Sequence, residues 1–360
     1  MTRIALLNPF VPHYREEFYR RLSERYPLDI YVYEQGQGDQ GGFSLSAFPV
    51  IRLKSMSFLN KRLIAYDIRP FLSSRYDVIV LMLHFGHLST WLLLLLNIFF
   101  RKRIILWGQG ISVKRYLKEI RKPSVSLRLM LGLGNGAWIY TEPEAALWSS
   151  RLPGKPIRAI NNTISDVANV LNNEPPLSKE ALKARFGITQ PLCIIFCARF
   201  NTPFRRIDLL LEAIERLDTD TYGFIIIGDG TLKPDFSEFD SVYDFGAVYD
   251  EKTKSQLFHI ADIYFQPGWI GLSVVEAMAY GKPILTFRRS ERTLQCVEYH
   301  YIQNGINGYI VDGIDGLIQR VRETPSATWV AMGKASRELV EKNLLMEQMV
   351  DRAAEVIEAV

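Results

Sequence analysis

Residues 267–286 read PGWIGLSVVEAMAYGKPILT, and their order has a chemical meaning. A glycine-bearing turn leads into a short amphipathic helix expected over 272–280. The helix stops at Gly281 and gives way, past Pro283, to an apolar strand. Gly268 and Gly271 would let backbone approach a ligand closely. The amides of Gly271, Leu272 and Ser273 open the helix, lack carbonyl partners inside it and sit at the positive end of its dipole, which suits a phosphate. Glu276 stands in the first turn, where a carboxylate can accept hydrogen bonds from hydroxyls beside that phosphate. Trp269 reads equally as an apolar wall of the site or as a packing residue. Two further cations join this constellation. Arg199 follows directly on an apolar run at 192–197, and Arg205 lies six residues later, near the start of the next helix. Two guanidiniums and a helix N-terminus can neutralise a developing polyanion without a metal ion.

Such groups need elements that bring loop ends together, and the rest of the chain supplies the pattern. Apolar strands are expected at 3–8, 28–33, 77–83, 103–107 and 137–141, with helices at 16–25 and 88–100. Residues 165–191 carry Asn172, Asn173 and Pro176 and read as a linker. The alternation then restarts with strands at 192–197, 224–227, 242–245 and 263–266, a helix at 207–217 and a helical C-terminus over 328–360. This is the βαβ order of doubly wound parallel sheets. It predicts an α/β chain of two Rossmann-like domains, 1–168 and 188–344, facing a central cleft, with a helix at about 345–360 packing back on the first domain. Ligands of such sheets bind at the carboxyl ends of the strands, where each glycine turn falls.

At 360 residues with 48% hydrophobic and 23% charged content, two globular domains are expected. No signal peptide is read at the N-terminus. The longest apolar run, 91–100, includes Asn97 and is too short for a bilayer, so it reads as a buried or an interfacial helix. Three cysteines, Cys193, Cys197 and Cys296, fit a reducing cytoplasm. The net charge of +4 is unevenly distributed. Residues 1–168 carry 23 Lys/Arg against 12 Asp/Glu, a net of +11, whereas 169–360 carry 20 against 27, a net of −7. The basic segment KRYLKEIRK at 114–122 concentrates that excess and points to anionic lipid headgroups or a lipid diphosphate. No nucleic-acid module accompanies it, so nucleic acid is not an expected partner. Asp218-Thr219-Asp220 lies between a helix and a strand, at the sheet edge opposite the glycine turns, and reads as a solvated turn.

The second half resembles the retaining glycosyltransferases of family 4, which have the GT-B fold. The resemblance rests on CARFNTPFRRIDLLLEAI, FIIIGDG, YDFGAVYDEKTKSQLFHIADIYFQP, GLSVVEAMAYGKPIL and NGINGYIV, in that order over most of 192–312. It implies that Arg199 and Arg205, the latter in place of a lysine, hold the donor diphosphate, and that Glu276 contacts the ribose hydroxyls. It also implies that residues 245–248, with Phe245, Gly246 and Val248, meet the nucleotide base through backbone atoms. In the family a glutamate that touches the transferred sugar precedes Glu276 by eight residues; here that position is Gly268. The first half resembles the family weakly, in ILWGQG and NNTI. Gln109 falls where the family often has a histidine near the reaction centre. His13 and Arg15 in PFVPHYR, and His84 and His87 after a strand end, complete the candidates for the acceptor side.

The resemblance implies an enzyme that moves a sugar, with retention, from a nucleotide-diphosphate sugar to a saccharide or lipid-linked saccharide in surface polysaccharide biosynthesis. No metal or other cofactor is expected. The expected location is cytoplasmic, peripheral at the inner face of the membrane. A nucleotide-sugar epimerase on the same fold, or a non-catalytic nucleotide-sugar-binding protein, are the alternatives.

Overall fold

Continuous apolar runs form strands whose alternate residues are buried on opposite faces of a parallel sheet. In the computed structural model, which describes residues 2–34, 49–60, 62–165, 167–173 and 176–360, two such sheets occur, one in each of two units. The first unit is Met1–Ser165 with Met346–Val360; the second is Asp166–Leu345. Of the segment expected as a linker, residues 166, 174 and 175 lie outside those described.

The first unit runs β1 (Ile4–Asn8), α1 (Glu16–Arg25), β2 (Leu28–Val32), β3 (Val50–Arg52), β4 (Ser55–Phe58), β5 (Leu63–Tyr66), α2 (Arg69–Leu72), β6 (Val78–Met82) and α3 (Leu88–Phe100). It continues through β7 (Arg103–Gly108), α4 (Tyr116–Glu119), α5 (Val125–Leu133), β8 (Gly136–Ile139), α6 (Glu142–Ser149) and β9 (Ile157–Ala159). Its sheet has the order β3-β2-β1-β6-β7-β8-β9, all parallel, and β4–β5 form a separate antiparallel hairpin. Ile4, Leu6, Val78 and Val80 pack on one face with α1 and the C-terminal helix Met346–Ala359. Their strand neighbours Ala5, Leu7, Ile79 and Leu81 pack on the other with Leu93 and Leu94 of α3, Leu127 and Met130 of α5, and Trp148 of α6. The C-terminal helix is tied to this unit by Trp138, whose indole Nε1 donates to the Ala353 carbonyl at 3.2 Å.

The second unit runs α7 (Val167–Asn172), α8 (Lys179–Phe186), β10 (Leu192–Cys197), α9 (Ile207–Arg216), β11 (Tyr222–Ile227), β12 (Val242–Asp244), α10 (Glu251–Ile260) and β13 (Ile263–Phe265). Then follow α11 (Ser273–Ala279), β14 (Ile284–Phe287), β15 (Gly308–Val311), α12 (Ile314–Glu323) and α13 (Ser326–Asn343). The strand order is β12-β11-β10-β13-β14-β15, all parallel. Successive strands are added on one side of β10 and then on the other, so the order reverses between β10 and β13. The first sheet reverses likewise between β1 and β6. Loops diverge at such a reversal and leave a crevice beyond the strand ends.

Candidate functional site

The crevice of the second sheet is bounded by the loop after β10 and the loop after β13, which carry most of the candidate residues. The first loop is fixed from beside it. Ala198 donates its amide to the Ile227 carbonyl at 2.9 Å, Phe200 to Asp229 at 2.9 Å, and the Phe200 ring is fully buried. Gly228 at φ +141° makes this possible, since a Cβ there would stand 2.0 Å from the Ala198 carbonyl oxygen. Arg199 is held between these anchors with its side chain exposed.

Arg205 ends a single tight turn, Pro203–Arg205, whose Thr202 cap accepts from the Phe204 amide. Its guanidinium is half-buried, and its Nε has no hydrogen-bond partner. Burial holds Arg205 below the ordinary arginine range, and Arg199 nearby pushes in the same direction. A desolvated guanidinium without a carboxylate is costly unless an anion completes it.

Two buried glutamines shape the second loop. Gln266 donates through Nε2 to the carbonyls of Gly268 (3.1 Å) and Trp269 (2.9 Å), and accepts at Oε1 from Tyr264 (2.6 Å) and Ser273 (3.0 Å). Gln295 donates to the Pro267 carbonyl (3.1 Å) and the Phe287 carbonyl (3.0 Å), and accepts from the Ile270 amide (2.9 Å). The loop backbone is thereby held in place ahead of any ligand. Helix α11 is one residue shorter at each end than the sequence implies, and Gly281 follows it at φ +67°. Its bonding begins with the Val274 and Val275 amides on the Gly271 and Leu272 carbonyls, so Gly271 and Leu272 precede it and Ser273 is its first residue.

Gly268 has a different reason from the one read in the sequence. A Cβ at this position would lie 2.4 Å from the Phe204 carbonyl oxygen and 3.1 Å from Arg206 Cγ. The bare face of Gly268 therefore receives the turn that carries Arg205, not a ligand. Trp269, at φ +54°, stacks on Phe204 with centroids 4.8 Å apart. The two loops are thus joined by a glycine–carbonyl contact and an aromatic stack.

Glu276 is already engaged. Its Oε1 lies 2.6 Å from Lys254 Nζ of α10, and both side chains are mostly buried. Burial opposes the Lys254 ammonium, but Glu276, helped by Glu251, outweighs it and raises Lys254 above the ordinary lysine range. Cys197 and Cys296 flank the same region. Burial pushes each thiol up to about 12, so both stay protonated at neutral pH. Phe245, Gly246 and Val248 follow β12 at the adjoining strand end. The Phe245 amide donates to Ile226 at 3.0 Å, the Gly246 carbonyl accepts from Gly228 at 2.7 Å, and the Phe245 ring meets Phe186 edge-on.

The sequence model for the family described as Glycosyl transferases group 1 matches residues 191–326. The second unit carries a group 1 glycosyltransferase domain. Apart from Phe186, every residue named in this site lies within that match. No curated protein matches the chain by sequence. Among solved structures, the chain is similar to Anabaena Alr3699/HepE in complex with UDP, with 13% identity, a TM-score of 0.71 and full coverage of both chains. It is also similar to the lipopolysaccharide outer core galactosyltransferase WaaB (13% identity, TM-score 0.65, 99% of each chain). A third is TarM, at 12% identity and a TM-score of 0.65 over 99% of this chain and 98% of that one. The shared fold is GT-B.

The first unit treats its candidates differently. His13 and Arg15 follow β1, and His84 and His87 follow β6, so all four lie at the reversal of that sheet. Arg15, a candidate for the acceptor side, is taken up inside the fold. It is buried, donates to Asn162 and to Met349 Sδ, and lies over the Trp107 ring at 4.9 Å. His87 is likewise interior, with Nε2 3.2 Å from the Tyr33 hydroxyl. Burial, then the neighbouring His84, lowers it to about 4. His13 and His84 remain exposed, and Gln109 is half-buried at the end of β7.

Sequence reading missed Lys254, Gln266, Gln295 and Phe204. Only Gln266 leaves a signal, as a polar residue closing an apolar strand. Lys254 is 22 residues from Glu276, and the Phe204 contribution is a backbone carbonyl, to which side-chain identity is nearly silent.

Proposed function

We propose that the glycosyltransferase domain binds a nucleotide-diphosphate sugar at the β10–β13 crevice and transfers the sugar with retention. The observation that carries this reading is Arg205: a half-buried cation whose Nε lacks a partner, locked against the loop that leads into α11. A departing diphosphate would supply the missing charge. Arg199, exposed across the same crevice, is free to close on it, and the amides ahead of α11 add neutral donors. Glu276 would grip the ribose once it leaves or shares Lys254, and residues 245–248 would meet the base. No metal is needed for the charge balance in this arrangement, and EDTA is expected to leave transfer intact.

The family likeness and the basic first half favour a saccharide or lipid-linked saccharide acceptor at the cytoplasmic membrane face, in surface polysaccharide synthesis. His13, His84 and Gln109 are the acceptor-side candidates that keep some exposure. Isothermal titration with UDP and other nucleoside diphosphates tests the donor site. Binding that Arg205→Ala abolishes supports it; binding indifferent to both Arg199→Ala and Arg205→Ala overturns it. Proton NMR of the product anomer tests retention.

A further inference from the structure

Helix α3 is apolar nearly all round, a pattern expected of a helix covered on every side. It is covered on one side only. Leu93 and Leu94 are buried against the sheet, whereas Leu92, Leu95, Ile98 and Phe99 are exposed, the last two at 71% and 79%. Helix α5 packs beside it and repeats the arrangement: Leu127, Met130 and Leu131 face inward, Val125 and Leu129 outward. Two neighbouring helices therefore present a continuous apolar ridge. Scattered exposed leucines are ordinary, but a contiguous patch of this kind marks a surface that something covers.

The charges around the ridge identify the cover. Between Asp77 and Glu142 the sequence has nine Lys/Arg and a single acidic residue, Glu119. Glu119 is buried, accepts from the Ser112 amide and pairs with Arg115. Lys118, Arg121, Lys122 and Arg128, on and between α4 and α5, are exposed. A second copy of the chain would bring the same cations to the same ridge and be repelled. An anionic bilayer offers both an apolar layer and fixed negative charge above it. Spanning is excluded for α3: its 13 residues make about 20 Å, short of the roughly 30 Å hydrocarbon layer. No helix among the described residues is long and apolar enough to cross.

We propose that the outer faces of α3 and α5 lie in the interface of an anionic membrane, with Ile98, Phe99, Val125 and Leu129 immersed and the α4–α5 cations on the headgroups. The inference rests on the membrane-face acceptor proposed above and names the surface that reaches it. KRYLKEIRK is then the electrostatic rim, and the ridge is the anchor.

The test is sedimentation of the full chain with phosphatidylcholine vesicles and with vesicles that also contain phosphatidylglycerol, together with gel filtration. Wild-type protein is expected to bind the anionic vesicles and to bind pure phosphatidylcholine much less. A double variant, Ile98→Ser with Phe99→Ser, should weaken anionic-vesicle binding at least about tenfold, and so should Lys118→Glu with Arg121→Glu and Lys122→Glu. All these side chains are exposed, and unchanged circular-dichroism melting verifies the fold. Equal binding to both vesicle types, or no loss in the double variant, overturns the proposal. A wild-type dimer that the double variant converts to monomer, with no vesicle binding, also overturns it and makes the ridge a self-interface. UDP titration of the same samples separates the two readings. Vesicle binding lost with UDP binding kept removes the anchor alone; UDP binding absent with vesicle binding kept removes the donor site alone.

Discussion

Two parallel sheets in one chain each reverse their strand order, and each has cations or imidazoles placed by sequence at the reversal. At β10–β13 the groups stay available: Arg199 is exposed, and Arg205 is half-buried with an unmatched, buried Nε. At β1–β6 two of them are used by the protein itself: Arg15 lies on Trp107 and Asn162, and His87 on Tyr33. Topology alone therefore marks where a ligand can bind, not whether one does. What separates the two places is whether a charged group finds its counterpart inside the fold.

The sharpest way to break this contrast is Arg205→Ala. Loss of one preorganised donor to a leaving group lowers turnover about 10²–10³-fold, and the melting temperature should hardly move, since no internal ion pair is lost. Arg15→Ala should do the reverse, lowering the melting temperature while leaving UDP titration unchanged. If instead Arg205→Ala unfolds the domain and Arg15→Ala spares it, the two sites have been assigned the wrong way round. Next in size is Gly268→Glu. The new Cβ meets the Phe204 carbonyl oxygen at 2.4 Å, and overpacking of this sort destabilises by about 1–3 kcal/mol. Differential scanning calorimetry reads that loss. An unchanged melting temperature would show that the turn carrying Arg205 is not seated on the loop.

The acid side of the stability curve sharpens the comparison at β1–β6. His87 titrates near 4 in the fold and near 6.5 when unfolded. Between those values the unfolded chain binds the extra proton, so stability is complete above about pH 6.5 and falls as pH drops toward 4. The loss at pH 5 is about 2 kcal/mol. His87→Gln should flatten that dependence in urea unfolding of the full chain, and an unchanged slope would place the imidazole in water. The smallest effect is expected at Asp218→Asn. Asp218 accepts from the Tyr222 amide through its backbone, in a turn at the opposite strand ends. Stability should change by less than about 0.5 kcal/mol, with transfer unaffected. A large loss of activity would show that the Asp218–Asp220 turn is more than a solvated connection.

Much of this was legible where a residue's type, spacing and chain position decide its role. The strand at Leu192–Cys197 and the helices at Glu16–Arg25 and Leu88–Phe100 coincide with their sequence readings. Arg199 and Arg205 could be placed at one sheet edge because the strands that precede them are unbroken apolar runs. The β4–β5 hairpin escaped notice, since two four-residue strands, the first exposed and the second largely half-buried, carry too little pattern. The outward ridge of α3 was illegible for the opposite reason: a helix with leucines all round has no preferred face until its neighbours choose one. Gly268 shows a third kind of gap. Its spacing to Glu276 was visible, but the occupant of its empty side is main chain from a turn 64 residues earlier.

The C-terminal helix adds a consequence for synthesis. Residues 346–360 complete one face of the first unit, while the second unit is built from a single uninterrupted stretch, 166–345. During synthesis the second unit has all of its sequence in hand before the unit that was begun earlier. The opening sheet must wait, with Val78, Val80 and Trp138 lacking their partners in the last helix, until translation reaches the final turns. A chain truncated after residue 345 and released from the ribosome should accordingly resist protease over its later portion and be cut in its earlier one.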